Sequence, residues 1–344
     1  MAAGRPTVSV IIPAVDEQAD IARCLETIEE QTHPSEEVEV ILVDGGSADE
    51  TVAVASKVAA DLHFGSFTVV TNPRRRTSTS LNAGLEVATG DIVVRLDARS
   101  RIGPTYVEAC VARLQADPAV GVVGGAQVPV PRSDRAPDRG IARALANRVT
   151  SGLSRYRRSS TSGPADTVWM GVFRRRELVA LGGWDDAIAL NEDWDLNARY
   201  RADGQVVWFL AEERSGYVPR PNLRRLARQY FAFGRVKGLW WVRGQRPAPR
   251  QVALLLAPPA AAGALWLAVR RWGARSLVAV PVVLVAADHL GSREPAPLDE
   301  RATAAAAVVT YCGSWWIGVI AGAVGELLGV EHEHSVRSPR GDDR

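Results

Sequence analysis

Short apolar runs alternate with amphipathic segments along the first half of the chain. Val8 to Pro13 is a compact β-branched run, and the polar Asp16-Glu17-Gln18 after it leads into a helical pattern with Ile21, Leu25 and Ile28 on one face. Val38 to Val43 repeats the strand signature. Asp44-Gly45-Gly46-Ser47 ends it with a carboxylate, two flexible residues and an N-cap candidate before a helix over Glu50 to Ala60. Phe67 to Thr71 reads as a third strand, Ser78 to Ala88 as a helix, and Asp91 to Leu96 as a fourth strand that Gly90 introduces and Asp97 ends. This alternation predicts an α/β fold with a mainly parallel sheet flanked by helices. Further on, Thr105 to Asp117 reads as helix and Val120 to Val130, with its Gly124-Gly125 pair, as strand and turn. Pro131 to Gly163 is polar and reads as a mobile or partly helical connection. Thr167 to Phe173, a helix over Arg174 to Leu181, a turn at Gly182 to Asp185, a helix over Leu190 to Ala202 and a strand over Val206 to Leu210 follow. A basic, aromatic helix over Asn222 to Trp241 comes last.

The pattern then changes. Val252 to Val269 carries no charge, Ser276 to Ala287 is apolar but short, and Ala302 to Gly325 is uncharged and holds Trp315 and Trp316. The first and third runs approach the length that crosses roughly 30 Å of hydrocarbon. A buried helix in a soluble core is the alternative for each, most of all for the second, which Asp288 closes. Three runs together favour two or three transmembrane or re-entrant helices over residues 251–330, followed by a polar tail over 331–344. Arg243, Arg246 and Arg250 lie just before the first run, as clusters on the cytoplasmic side of a membrane do. Met1 to Thr7 has no apolar core of a signal peptide. The expected location is the cell (inner) membrane with the catalytic domain cytoplasmic.

Composition adds little beyond exclusions. A net charge of +2 gives no case for nucleic acid. Three cysteines far apart, Cys24, Cys110 and Cys312, argue against a disulfide framework and a zinc site.

The candidate chemistry lies in acids at strand and helix ends: Asp16-Glu17, Asp44 and Asp97. Each alone reads equally as a solvated loop acid. Strands of one parallel sheet, however, bring their carboxyl ends to one crevice. Acids gathered there repel unless a cation or hydrogen-bond donors compensate, so a metal site or a sugar-hydroxyl site is their natural use. Glu192-Asp193 reads either as decoration of a helix N-terminus behind Asn191 or as a base whose ionised form the helix favours.

Five landmarks occur in one order. They are Ser9-Val10-Ile11-Ile12-Pro13, Val43-Asp44-Gly45-Gly46-Ser47 with Asp49, Leu81-Asn82-Ala83-Gly84, Thr89-Gly90-Asp91 leading to Asp97, and Glu192-Asp193. Together they resemble the family 2 glycosyltransferases of GT-A fold. The run Arg228-Gln229-Tyr230-Phe231 through Gly234-Arg235 resembles the bacterial exopolysaccharide subgroup typified by the succinoglycan glucosyltransferases. The resemblance covers about residues 7–250, which are expected to form the catalytic domain.

The resemblance implies roles position by position. Asp44 falls where the family binds uracil, and Pro13, Asp16 and Glu17 fall in the first nucleotide-contacting loop, where the family has Asn before Glu. Ser47 and Asn82 join the nucleotide-sugar contacts; Arg76, in the Arg74-Arg75-Arg76 run before a helix N-terminus, reads by its own chemistry either as a phosphate contact or as part of a solvated loop. Asp97 falls on the first acid of the Asp-x-Asp metal motif, while Arg99 replaces the second. That replacement implies a contact to the diphosphate or a salt bridge to a nearby acid. Gln229 and Arg235, with Arg228 and Lys237, are expected to close over the diphosphate. Asp193 falls on the catalytic base, with Glu192 beside it. The resulting expectation is an inverting transferase moving a sugar from a nucleotide-sugar, with a UDP-sugar the expected donor, to a hydroxyl of a lipid-linked or polyprenol-linked saccharide in exopolysaccharide or cell-envelope synthesis. Mg²⁺ or Mn²⁺ would assist, with weak dependence because one acid is missing. The alternatives are a polyprenyl-phosphate glycosyltransferase and a catalytically inactive, membrane-anchored nucleotide-sugar binding protein.

Overall fold

The computed structural model describes residues 5–147, 160–188, 190–247, 249–275, 280, 292 and 294–329. The second apolar run apart from residue 280, Asp288 and the polar tail lie outside them. The described residues divide into two compact units, one within Met1–Val128 and Arg158–Tyr217, the other within Pro129–Arg157 and Val218–Glu333.

The first unit begins with β1 (Val8–Ala14), α1 (Ile21–Glu29), β2 (Val38–Asp44), α2 (Thr51–Ala60), β3 (Ser66–Thr71), α3 (Thr77–Val87) and β4 (Ile92–Arg95). β5 (Ser100–Arg101), α4 (Tyr106–Ala116) and β6 (Val120–Pro129) follow. α5 (Ala136–Ala146) belongs to the second unit, after which the first resumes with β7 (Gly163–Pro164), β8 (Val172–Arg174), α6 (Arg175–Ala180), α7 (Glu192–Ala202) and β9 (Val206–Tyr217). The second unit is completed by α8 (Leu223–Val242), α9 (Pro249–Trp272) and α10 (Leu298–Leu327).

The strands form one sheet in the order β3-β2-β1-β4-β8-β6-β9-β5, with β7 pairing with β9. β1 pairs in parallel with β2 and β4, and β2 with β3. β4 and β6 each pair antiparallel with β8, as β5 does with β9. The sheet is therefore mixed: its parallel half comes from the strand-helix alternation, and its antiparallel half joins β6 and β9, which the hydrophobic pattern marks as strands, to the short β5, β7 and β8, which are too brief to show a period. Register sets Pro13 opposite Val43 and Ala14 opposite Asp44, while β4 runs beside β1 on its other edge. The ends of β1, β2 and β4 thus share one border of the sheet, where ligands bind in open α/β folds. Val10, Ile11, Ile12, Val40, Leu42, Val93 and Val94 are buried on both faces of these strands. Gly84 lets α3 approach them, because a Cβ there would run into Ile11.

The structure alters several readings. β6 runs straight through Gly124 and Gly125 with no turn. A Cβ on Gly124 would stand 2.8 Å from the Val168 Cβ, and one on Gly125 would meet the Glu213 carbonyl, so both glycines serve close approach. α2 starts at Thr51 behind Glu50, not behind Ser47. The Pro131 to Gly163 connection is partly helical, one of its two expected forms, through α5. In the second unit, Asn222 accepts from the Arg225 N–H at 2.9 Å and caps α8, a local signal the sequence did carry.

Candidate active site

Two loops at the shared border are stitched together by hydrogen bonds. The Asp16 N–H donates to Ser47 Oγ at 2.9 Å, and Asp16 Oδ1 accepts from the Ala48 N–H at 2.7 Å. The Glu17 N–H donates to Thr51 Oγ1 at 2.8 Å. Asp16 itself has φ +54°, a left-handed conformation that Asp tolerates through local hydrogen bonding. Asp44, at the end of β2, accepts from the Gly46 and Ser47 N–H groups, each at 3.1 Å. Asp16, Glu17, Asp44 and Ser47 are therefore brought together in one wall, with Pro13 opposite Val43 at its base.

Arg76 and Asn82 serve a different segment. Asn82 Nδ2 donates to the Trp184 carbonyl and to Asp186 Oδ1, both at 2.7 Å, and its Oδ1 accepts from the Trp184 N–H at 2.9 Å. Arg76 donates to the Asp186 carbonyl at 3.1 Å. Both fasten the loop that leads into α7.

Asp97 lies just beyond β4, and both its oxygens have partners. Arg95 Nε donates to Oδ1 at 3.0 Å, and Trp169 Nε1 donates to Oδ2 at 3.2 Å. The same guanidinium reaches Glu192 at the start of α7, Nη2 to Oε1 at 2.8 Å. Arg95 is 6% exposed and Glu192 7%, so this is a buried ion cluster. Burial works against the arginine's charge, but Asp97, Glu192 and Asp193 together outweigh it and hold the guanidinium protonated. Asp193 follows Glu192 on α7, with its Oδ1 accepting from the Trp194 N–H at 2.8 Å.

Burial pushes the Asp193 carboxyl above its ordinary range, with Arg95 opposing and Asp97 adding to the rise. Glu192 moves the same way for the same first reason. Beside the expected preference of the helix N-terminus for the anion, the structure adds desolvation, which works against it, and Arg95, which works for it.

Arg99 forms a salt bridge to Glu17, Nε to Oε1 at 3.2 Å, and lies 5.4 Å from the centre of the Tyr217 ring. The expected salt bridge to a nearby acid is thus present. Gln229 and Arg235 are on α8 and belong to the second unit.

Arg95, Trp169 and Tyr217 were not singled out from the sequence. Arg95 had a signal: an arginine inside an otherwise apolar strand must meet acids if it is buried. Trp169 and Tyr217 had none, since their roles depend on antiparallel pairing.

Among the described residues no three His, Cys, Asp or Glu side chains are grouped to hold a metal ion. The donor set is nevertheless suited to a cation supplied with its own ligands. Asp97, Glu192 and Asp193 outnumber Arg95, leaving an excess of two negative charges when all are ionised. Each Asp97 oxygen accepts one hydrogen bond and keeps a second lone pair. One carboxylate is enough for Mg²⁺ when phosphates and waters complete the shell.

The profile described as "Glycosyl transferase family 2" matches residues 9–177. The chain is also 29% identical over 286 residues to the succinoglycan biosynthesis protein ExoA of Rhizobium meliloti (strain 1021), covering 82% of this chain and 83% of that one. The chain belongs to glycosyltransferase family 2. This family 2 enzyme is 23% identical over 246 residues to the dolichyl N-acetyl-alpha-D-glucosaminyl phosphate 3-beta-D-2,3-diacetamido-2,3-dideoxy-beta-D-glucuronosyltransferase of Methanococcus voltae, covering 69% of this chain and 74% of the relative. Its fold is similar to that of the mannosyltransferase PcManGT from Pyrobaculum calidifontis, solved in complex with GDP-Man and Mn²⁺. There the TM-score is 0.60 and the identity 24%, over 95% of this chain and 88% of that one. The likeness shows the GT-A fold. Family 2 is an inverting family that draws on nucleotide-sugars, and the enzyme acts in polysaccharide or glycan synthesis.

Proposed function

We propose that this enzyme transfers a sugar from a UDP-sugar to a hydroxyl of a lipid-linked saccharide at the cytoplasmic face of a membrane, in exopolysaccharide or cell-envelope synthesis. The observation that carries the reading is the ion cluster between the end of β4 and the start of α7, where buried Arg95 holds Asp97 and Glu192 and Asp193 is the next residue on the helix. A base must be anionic yet able to take a proton, and at Asp193 desolvation favours the proton while Arg95 favours the anion. Asp193 takes the proton from the acceptor hydroxyl as its oxygen bonds to the anomeric carbon. The bond from that carbon to the diphosphate breaks in the same displacement, and the nucleoside diphosphate leaves.

The wall of Pro13, Asp16, Glu17, Asp44 and Ser47 is assigned to the nucleotide, with Asp44 accepting from the base. Arg99, neutralised by Glu17, braces this wall. Arg76 and Asn82 hold the loop before α7 and so position Asp193. Asp97 would hold a divalent cation, which supplies charge compensation for the departing diphosphate. The lipid-linked acceptor is supported by the two long apolar helices and by the dolichyl-phosphate substrate in the name of the Methanococcus voltae relative. The catalytic domain is assigned to residues 7–250 and the membrane region to 251–330.

The test is Asp193→Asn, assayed against a panel of UDP-, GDP- and dTDP-sugars with membrane lipid as acceptor. Turnover should fall about 10²-fold or more, because proton removal by a positioned base contributes that much. Near-normal turnover would favour transfer to a polyprenyl phosphate, whose acceptor oxygen is already ionised.

A further inference from the structure

Arg95 is an unusual residue for its place. It ends a four-residue strand whose other members are Ile92, Val93 and Val94, and it is almost wholly buried. Nε is committed to Asp97 and Nη2 to Glu192, while Nη1 is buried with no hydrogen-bond acceptor among the described residues. A merely structural buried arginine is normally satisfied at every nitrogen, because an unmet donor carries its full desolvation cost. Here one guanidinium ties the end of β4 to the start of α7, the two places that supply the acids of the proposed site, and one donor remains unmet.

We infer that Arg95 is a positioning residue for transfer: its planar fork fixes Asp97 and Glu192 relative to each other, and through Glu192 sets where Asp193 stands. This rests on the transferase reading given above. A planar fork can hold two carboxylates in fixed directions at once, whereas an ammonium is a point charge on a flexible stem. Asp97 is further fixed by Trp169, so the indole reports on whether the carboxylate has moved.

The experiment compares Arg95→Met, Arg95→Lys and Glu192→Gln in the full chain in detergent. Each protein is labelled with 5-fluorotryptophan, and the Trp169 fluorine resonance is assigned by its loss in Trp169→Phe. In Arg95→Met the Trp169 resonance should move while the other tryptophans hold theirs. With whichever panel donor supports wild-type turnover, kcat should fall more than about tenfold with KM for the donor little changed, the signature of an interaction that acts after ground-state binding. Lys should recover part of that loss and Met none; a volume-filling role predicts that the two are equal. If Arg95→Met does not fold, Glu192→Gln decides, since it keeps the arginine and should still lower kcat by more than about tenfold. An unmoved Trp169 resonance in a folded Arg95→Met, or wild-type kcat in it or in Glu192→Gln, would overturn the inference. Should the wild type use no donor in the panel, the transferase reading fails separately, and the fluorine spectra still show whether Arg95 positions Asp97.

Discussion

Asp193 is subject to two opposing influences, and their balance has a sign that can be measured. Burial disfavours its anion, Arg95 favours it, and the like charge of Asp97 adds to the burial, so its proton is held above the ordinary aspartate value of 3.8. A base works only when ionised. Activity should therefore be full above the raised pKa and lost as pH falls through it, placing the acid limb of the kcat/KM profile above the usual aspartate range. A limb at or below that range, in a pH-rate profile on the wild-type enzyme, would contradict the assignment. Linkage runs the other way for stability: a carboxyl whose folded pKa is raised stabilises the fold at low pH, and that contribution is lost as pH rises through the folded value. At this scale the acids were legible in the sequence because each sits at the end of a run whose period is clear. Their partners were not. Whether Arg95 points at Asp97 and Glu192, or Trp169 at Asp97, is decided by strand pairings between residues far apart in sequence, which no local pattern records.

Helix α10 is the element on which the second unit is built, and glycines decide how closely its neighbours approach. On α8, a Cβ at Gly234 would run into the Trp315 carbonyl and one at Gly238 into that of Val319. On α10, a Cβ at Gly318 would meet the Phe231 carbonyl and one at Gly322 that of Arg235. Two small-xxx-small faces meet backbone to backbone, the arrangement by which helices associate closely in lipid. Nearer its start, α10 takes α5 at Gly140, with Arg139 paired to Glu300 at 2.8 Å. The consequence is a contrast between two identical substitutions. Gly322→Ala forces a shift of packed backbone and should cost about 1–3 kcal/mol. Gly263→Ala, on α9 with nothing near its would-be Cβ, should gain up to about 1 kcal/mol of helix propensity. Opposite shifts in Tm are the expected result; equal shifts would mean that the close contact is absent. The spacing of these glycines was visible in the sequence, but not their purpose, since a helical glycine at a crossing and one in open space read alike. The parallel strands and their helices were legible for the opposite reason: apolar period alone defines them.

At the scale of the whole molecule the question is what surrounds the apolar helices. Among the described residues two are long and apolar enough to cross a membrane, Gln251–Trp272 and Leu298–Leu327, and the apolar stretch of the first is not buried within the protein at all. Leu256, Trp266, Leu267 and Trp272 are exposed on it, a set that water tolerates poorly and lipid accepts. Composition made this half of the architecture legible, since long uncharged runs need no tertiary information to be recognised. Orientation is not legible in the same way, because Arg270 and Arg271 close α9 at the end opposite Arg243 and Arg246. Magnitude separates the two environments. Ala261→Arg, at an exposed position midway along the helix, should be nearly neutral on a surface facing water, within about 0.5 kcal/mol. At the centre of a bilayer the same arginine costs about 2.5–3.5 kcal/mol. The wild-type chain should stay in the membrane pellet through an alkaline carbonate wash, and Ala261→Arg should move a substantial share of it to the supernatant or to aggregates. Wild-type protein released by carbonate, with the variant indistinguishable from it, would mean that α9 faces water or another protein surface, and the lipid-linked acceptor would lose its main support.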